Sequence, residues 1–398
     1  MNVAAPRSIA FVHGGLAFGG SERVVVEQVR ACRDFACPVD FWILDETAPG
    51  DLVPLLREAN PHLRDLRGVE GARALAGHLW RRRYDVVLTC SAPRAYRALL
   101  RLRWLPFARR PAVVETIHER YAWSLDDPGR RRRRTVDLWC LTHDVRGPIQ
   151  DALGVPPERT AIARPLFPSN LLEPTPADRE AAARLRASLG IGTTSILIGY
   201  LGRWGDNKGL PELVAMAANL VETGHDVHLA LGGRIWPRSE AFQAAFEAAC
   251  ANACARVPAL ASRLHRLGPV AAAAAVLPAF DLMALPSRRE GLLPLMLVEA
   301  MSVSVPVITT DVGGIGTCLT DGVDAVVVAK RPDDESELSP TVLADFQARL
   351  AALVAGPGER ARLGAAGRER VRALVAGNDF AGDTRRAILR AMELRAAH

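Results

Sequence analysis

Lysine is almost missing from this chain: of 50 basic residues in 398, only Lys208 and Lys330 are lysine. Such a bias follows the coding genome, so it marks the two lysines only mildly. Cysteine is also scarce. The seven cysteines are an odd number and form no CxxC pair, which excludes a disulfide framework and a zinc ribbon. A reduced, cytoplasmic protein is expected. No Asp-x-Asp occurs, and the near-spaced histidines His225 and His228 open a predicted buried strand. No metal is therefore expected. The longest stretch without a charged side chain, Ala187–Gly202, has 16 residues and is broken by four glycines. It is too short to span a bilayer, and the N-terminus lacks the basic-then-apolar pattern of a signal peptide. Gly (32) and Pro (27) are at ordinary levels, which removes collagenous and low-complexity classes.

What is present is an ordinary globular composition, 49% hydrophobic and 24% charged, long enough for two or three domains. The net charge of +6 is uneven. Residues 1–170 carry 26 Arg against 19 acids, and 81–134 alone carry 15 Arg against 5 acids, a local +10. One face of the first half should attract anionic partners.

Short apolar runs alternate with helical stretches from end to end. Predicted strands are Ile9–Val12, Val39–Leu44, Tyr84–Thr89, Ala112–His118 and Val136–Leu141. A second set comprises Ile196–Leu201, Val227–Leu231, Asp281–Leu285, Pro306–Thr309 and Ala325–Val328. Runs of this length between helices are the pattern of buried parallel strands in βαβ units. Arg164–Pro176 holds four prolines in 13 residues and is read, with the charged helix after it, as a connection between domains. The fold class is α/β: two Rossmann-like domains facing across a cleft, ligands at the C-terminal strand ends. The boundaries are 1–170, a linker over 171–190, 191–375, and a last helix in 376–398.

Three segments carry candidate chemistry. The first strand leads through His13–Gly14–Gly15 and Gly19–Gly20–Ser21–Glu22–Arg23 into an apolar helix, a glycine turn that lets backbone N–H groups approach an anion. Asp45 ends the second strand, but the glycines do not form GxGxxG, so a dinucleotide site is disfavoured. A plain tight turn fits as well. The second segment, Gly202–Arg203–Trp204–Gly205–Asp206–Asn207–Lys208–Gly209, places an Arg and a Lys around one turn. Both can address a diphosphate, the Arg as a fork and the Lys as a point charge, or they are ordinary surface charges on a solvated loop. In the third, Pro286–Ser287–Arg288–Arg289–Glu290–Gly291 precedes Pro294, which suits a first helical position, and Glu299 follows amid Leu297, Val298, Ala300 and Met301. A carboxylate there needs a hydrogen-bonding partner, which ligand hydroxyls would supply.

Taken in order, these segments resemble the retaining glycosyltransferases of the GT-B fold, specifically glycosyltransferase family 4. The likeness covers nearly the whole chain. It rests on Gly19–Arg23, Thr116–Ile117–His118–Glu119, Gly202–Arg203 with Lys208–Gly209, Pro286–Ser287 with Glu290–Gly291, Glu299–Ala300 and Asp311–Val312–Gly313–Gly314. Arg266–Leu267–Gly268–Pro269–Val270 falls where the family places its nucleotide-base loop.

The resemblance implies a sugar transfer from a nucleotide-diphosphate sugar with retention of anomeric configuration, without cofactor or metal. It implies that Arg203 and Lys208 neutralise the donor diphosphate. Glu299 would bind the ribose hydroxyls. Glu290, with the amides of Gly291, Leu292 and Leu293, would hold the donor sugar, and Leu267 and Pro269 would flank the base. Gly20 would bring its amide to the phosphate or acceptor, and His118 would orient sugar or acceptor beside the anomeric centre. The last helix would pack on the first domain.

There are departures. Eight residues separate Glu290 from Glu299 where the family has seven, Ser304 stands where a glycine usually ends the helix, and Gly316–Thr317 replace a common Pro-Glu. Because Leu292–Leu293 precede Pro294, the extra residue can be absorbed in the loop, which would re-aim its amides.

The basic region holds Arg103–Trp104 and five consecutive arginines including Arg130, Arg131 and Arg132, with Arg81–Arg82–Arg83 after Trp80. Arginine beside tryptophan is the composition of an anchor on anionic lipid, and a solvated loop is the plainer reading. The same face would take an anionic acceptor, lipid-linked or polysaccharide. A cytoplasmic protein peripheral on the inner membrane face follows from the first reading. No nucleic-acid motif is present. Two alternatives remain: a GT-B-fold sugar-nucleotide epimerase, and a non-catalytic nucleotide-sugar or membrane-surface binding protein.

Overall fold

A computed structural model describes residues 4–13, 20–43, 53–68, 71–90, 99, 110–117, 137–140, 157–162, 171–235, 240–291, 293–330 and 337–396. The chain forms two compact units, residues 1–166 with 378–398, and residues 167–377. Among the described residues, no helix is long and apolar enough to cross a membrane.

The first unit is built on seven parallel strands: β1 (Ile9–His13), β2 (Val39–Ile43), β3 (Leu63–Gly68), β4 (Val86–Cys90), β5 (Ala112–Ile117), β6 (Asp137–Cys140) and β7 (Thr160–Ile162), in the order β3-β2-β1-β4-β5-β6-β7. Every residue of β1 is buried, as a central strand covered on both faces requires. The helix Phe380–Ala396 belongs to this unit, burying Phe380, Ile388 and Ala391. Arg385 pairs with Asp34 at 2.6 Å, and Arg395 donates to the Asp85 carbonyl at 3.3 Å. The helix begins three residues before the expected Asp383.

The second unit has six parallel strands: β8 (Ile196–Leu201), β9 (Val227–Gly232), β10 (Leu264–Gly268), β11 (Leu282–Leu285), β12 (Val307–Thr310) and β13 (Val326–Val328), in the order β10-β9-β8-β11-β12-β13. Residues 171–190, read from the sequence as a linker, lie within this unit. Their helix Pro176–Ser188 starts from Thr175 and Asp178, which cap each other's backbone N–H groups. Arg186 then ties it down, donating to Asp281 at 2.8 Å and to the carbonyls of Ala279, Gly192 and Ser195.

In this sheet the chain winds outward from β8 to β10, then returns to β11 on the other side of β8. The order reverses between β8 and β11, so the loops leaving their C-terminal ends diverge and leave a crevice. Those loops are 202–209 and 286–294.

A buried acid elsewhere has a structural use. Asp40, fully buried near the start of β2, accepts both prongs of Arg64 at 3.0 and 2.7 Å and the Tyr84 hydroxyl.

The helix Leu295–Ser302 ends where Ser304 adopts φ +63°, in the left-handed region that favours glycine. Ser304 is exposed, so its side chain contributes little packing. Ser304→Gly is therefore expected to stabilise the second unit by about 0.5–1 kcal/mol, the left-handed penalty less the extra chain entropy of glycine. An unchanged or lower urea midpoint would count against it.

Candidate donor site

The site lies at the C-terminal ends of β8 and β11. Beyond β8, Gly202 takes φ +144° and Gly233, beyond β9, takes φ +132°. A Cβ on Gly233 would stand 1.7 Å from the Gly202 carbonyl oxygen, so the two turns cross at backbone contact. Trp204 is buried beneath them, edge-on to Phe246 with centroids 5.2 Å apart, and its indole N–H donates to the Gly232 carbonyl at 3.3 Å. The buried Tyr200 hydroxyl donates to the Arg203 carbonyl at 2.6 Å. Burial, and then the negative charge of Glu290, hold the Tyr200 pKa far above its usual value, so the phenol stays a neutral donor.

Asp206–Lys208 form a 3-10 turn that closes on Gly209 at φ +64°. The turn delivers Lys208 to Glu290: its Nζ lies 2.6 and 2.7 Å from the two carboxylate oxygens. Ser287 Oγ donates to the same carboxylate at 2.5 Å. The side chains of Lys208 and Glu290 are only 13% and 8% exposed. Two charges so far from water hold each other by charge-assisted hydrogen bonds, and removing either would strand the other. The sequence reading assigned Lys208 to a diphosphate and Glu290 to a sugar; here each is the other's partner.

Glu290 enters from a loop packed tightly against its neighbours. A Cβ on Gly313 (φ +60°) would meet the Glu290 carbonyl oxygen at 2.2 Å. Gly291 and Leu293 are buried. Pro294 is the N-cap and not the first helical residue; the helix starts at Leu295. Its extended ψ of 131° explains the difference, because a residue within the helix cannot hold that angle. Leu295 and Glu299, four apart and both half-buried, share the open face, while Met296, Leu297, Val298, Ala300 and Met301 are buried. The half-exposure of Glu299 removes the expectation of a carboxylate enclosed by apolar side chains.

The base-loop residues reach the same region through the backbone. Gly268, between half-buried Leu267 and exposed Pro269, accepts from the Gly233 N–H at 2.7 Å. Thus Leu267, near the end of β10, belongs to the same unit as Pro269, Arg203, Lys208, Glu290 and Gly291, which stand on loops beyond its strands. Gly20 opens the helix Gly20–Ala31 of the other unit. His118, Leu292, Arg103, Trp104, Arg130, Arg131 and Arg132 lie outside the described residues, as do residues 14–19 and Asp45.

Among the described residues no group of three or more His, Cys, Asp or Glu side chains could hold a metal ion. His228 pairs with His265 and not with its sequence neighbour His225: their ring nitrogens are 2.9 Å apart. Burial lowers both pKa values. Residues that the sequence did not single out include Tyr200, Asn207, Glu212 and Thr310. Lys330 was marked only by the rarity of lysine.

Residues 195–344 match the family model described as Glycosyl transferases group 1. That match covers most of the second unit. Arg203, Lys208, Glu290 and Glu299 all fall within it. The D-inositol 3-phosphate glycosyltransferase of Rhodococcus opacus is 28% identical over 214 residues, 51% of this chain and 44% of that protein. The protein of the same name from Corynebacterium urealyticum is 27% identical over 192 residues, 47% of this chain and 44% of its own. The aligned region thus spans less than half the length of these curated relatives. Among solved structures, sucrose-phosphate synthase from Thermosynechococcus elongatus matches with a TM-score of 0.73 at 20% identity, over 98% of this chain and 100% of that one. Anabaena HepE in complex with UDP matches with a TM-score of 0.71 at 18% identity, over 98% and 100%. The expected α/β architecture of two Rossmann-like units stands: the fold is GT-B.

Proposed function

We propose that the protein is a glycosyltransferase that moves a sugar from a nucleoside-diphosphate sugar to a hydroxyl acceptor, with retention and without a metal ion. The observation that carries this reading is the Lys208–Glu290 pair at the β8/β11 reversal of a group 1 domain. Solved proteins of the same fold were captured with UDP and with UDP-glucose. In the reaction, the bond between the anomeric carbon and the diphosphate oxygen breaks, and the acceptor oxygen bonds to that carbon. The acceptor proton leaves with the departing diphosphate. Arg203 and Lys208 supply the positive charge that a metal would otherwise bring to this leaving group. Glu290, released from Lys208 as the diphosphate takes the ammonium, accepts hydrogen bonds from the sugar.

The acceptor is proposed to be anionic, on the charge of the first half of the chain. A membrane-facing role of that half is supported by Trp80, 51% exposed at the end of the helix Gly71–Arg82, beside the exposed Arg81 and Arg83.

The test is a thermal-shift panel of UDP, GDP, dTDP and ADP with their common sugars, run with magnesium and again in EDTA, on wild type and Lys208→Met. Saturation at 100 times the dissociation constant adds about 2.7 kcal/mol, which raises the melting point of a unit this size by about 5–10 °C. One nucleotide family should produce that shift in wild type and lose it in the variant. No shift for any nucleotide would sink the reading, and a shift that EDTA abolishes would sink its metal independence.

A further inference from the structure

The loop that carries Glu290 is held by its carbonyls. Thr310 Oγ1, at the end of β12, donates to the Ser287 carbonyl at 2.5 Å. Lys330 Nζ, beyond β13, donates to the Arg288 carbonyl at 2.7 Å. Asn207 Nδ2, in the turn beyond β8, donates to the Arg289 carbonyl at 3.0 Å. Three consecutive carbonyls are thus each taken by a side chain from a different part of the sheet. Arg288 is held further: its N–H donates to the Asn207 carbonyl at 2.8 Å, and its guanidinium pairs with Glu212.

A trans peptide points its N–H opposite to its C=O, and no cis bond occurs among the described residues. Fixing the carbonyls of Arg288 and Arg289 therefore fixes where the N–H groups of Arg289 and Glu290 point, away from Lys330 and Asn207 respectively. The Glu290 carboxylate stands on two peptide planes that cannot turn without breaking one of these bonds.

The use of lysine fits the geometry. An ammonium is a compact donor on a flexible stem and can meet one carbonyl without laying down the planar fork of a guanidinium. In a chain that otherwise uses arginine, both lysines serve this loop, Lys208 at the Glu290 carboxylate and Lys330 at the Arg288 carbonyl.

We propose that Lys330, with Asn207 and Thr310, is a positioning residue that aims Glu290 and its neighbouring amides, and so sets which donor sugar the site prefers. The proposal rests on the donor-site reading given above. Lys330 acts through the loop backbone, two strands away from the strand that delivers Glu290.

Lys330→Met keeps the stem and removes the donor. Hydrogen exchange on the ligand-free full chain should show amides in 287–291 exchanging about fivefold faster, the weight of one hydrogen bond, with 196–201 unchanged. Calorimetric titration with UDP and UDP-glucose should show the UDP dissociation constant within about twofold of wild type and the preference between the two probes reduced by about fivefold. Thr310→Val should move both readouts the same way. Unchanged protection of 287–291 would overturn the proposal, as would equal weakening of both ligands, which marks mere loss of structure. If wild type binds neither probe, the donor reading fails, and the exchange result still decides whether Lys330 holds the loop.

Discussion

Glu290→Gln is expected to lower sugar transfer by about two to three orders of magnitude and to destabilise the second unit by about 3 kcal/mol. The stability cost arises because Lys208 and Glu290 are nearly buried and paired through both carboxylate oxygens. A neutral Gln leaves the ammonium desolvated without its counter-charge. The double substitution Glu290→Gln with Lys208→Met removes both charges, so it should recover most of the lost stability and none of the activity. Urea unfolding and donor turnover, measured on the two single variants and the double, separate the effects. If Glu290→Gln costs under about 1 kcal/mol, the pair is not the buried partnership described here.

The second large effect belongs to a residue with no side chain. Gly209 lies at φ +64°, and a Cβ there would meet the Pro286 carbonyl oxygen at 1.9 Å and its carbon at 2.9 Å. Gly209→Ala should cost more than about 4 kcal/mol, because the loops bearing Lys208 and Glu290 would have to part. Gly224 supplies the control: its φ is +87°, but none of the described residues comes within 4 Å of the position of a Cβ. Gly224→Ala should therefore cost only the left-handed penalty, about 1–2 kcal/mol. Melting points of the two variants isolate the close approach from the backbone angle. Equal losses would mean that contact with Pro286 is relieved at little expense.

The ten apolar runs read from the sequence all become strands, within one or two residues at their ends: nine lie inside their sheets, where a parallel strand is buried on both faces and shows as an unbroken apolar run, and the tenth, the edge strand β13, is buried throughout. Three strands escaped that reading. β3 (Leu-Arg-Asp-Leu-Arg-Gly) and β10 (Leu-His-Arg-Leu-Gly) are sheet edges, where charges guard the open hydrogen-bonding side, and β7, also an edge, is only Thr-Ala-Ile, without an apolar run like that of β13. The site divides in a similar way. Arg203, Lys208, Glu290 and Glu299 could be named because their spacing around glycine turns is local. The pairing of Lys208 with Glu290 spans 82 positions and that of Lys330 with Arg288 spans 42. Which carbonyl or carboxylate a cation meets over such distances is decided by strand order, which no local pattern encodes.

The first unit leaves the chain at residue 166 and resumes at 378, whereas the second is one unbroken segment. During synthesis, residues 167–377 emerge with everything their sheet requires. The strands of the first unit emerge earlier but must wait for Phe380, Ile388 and Ala391 to cover them. The half made first is thus completed only after the second, and a ribosome that stops near residue 377 leaves a finished second unit and an uncovered first one.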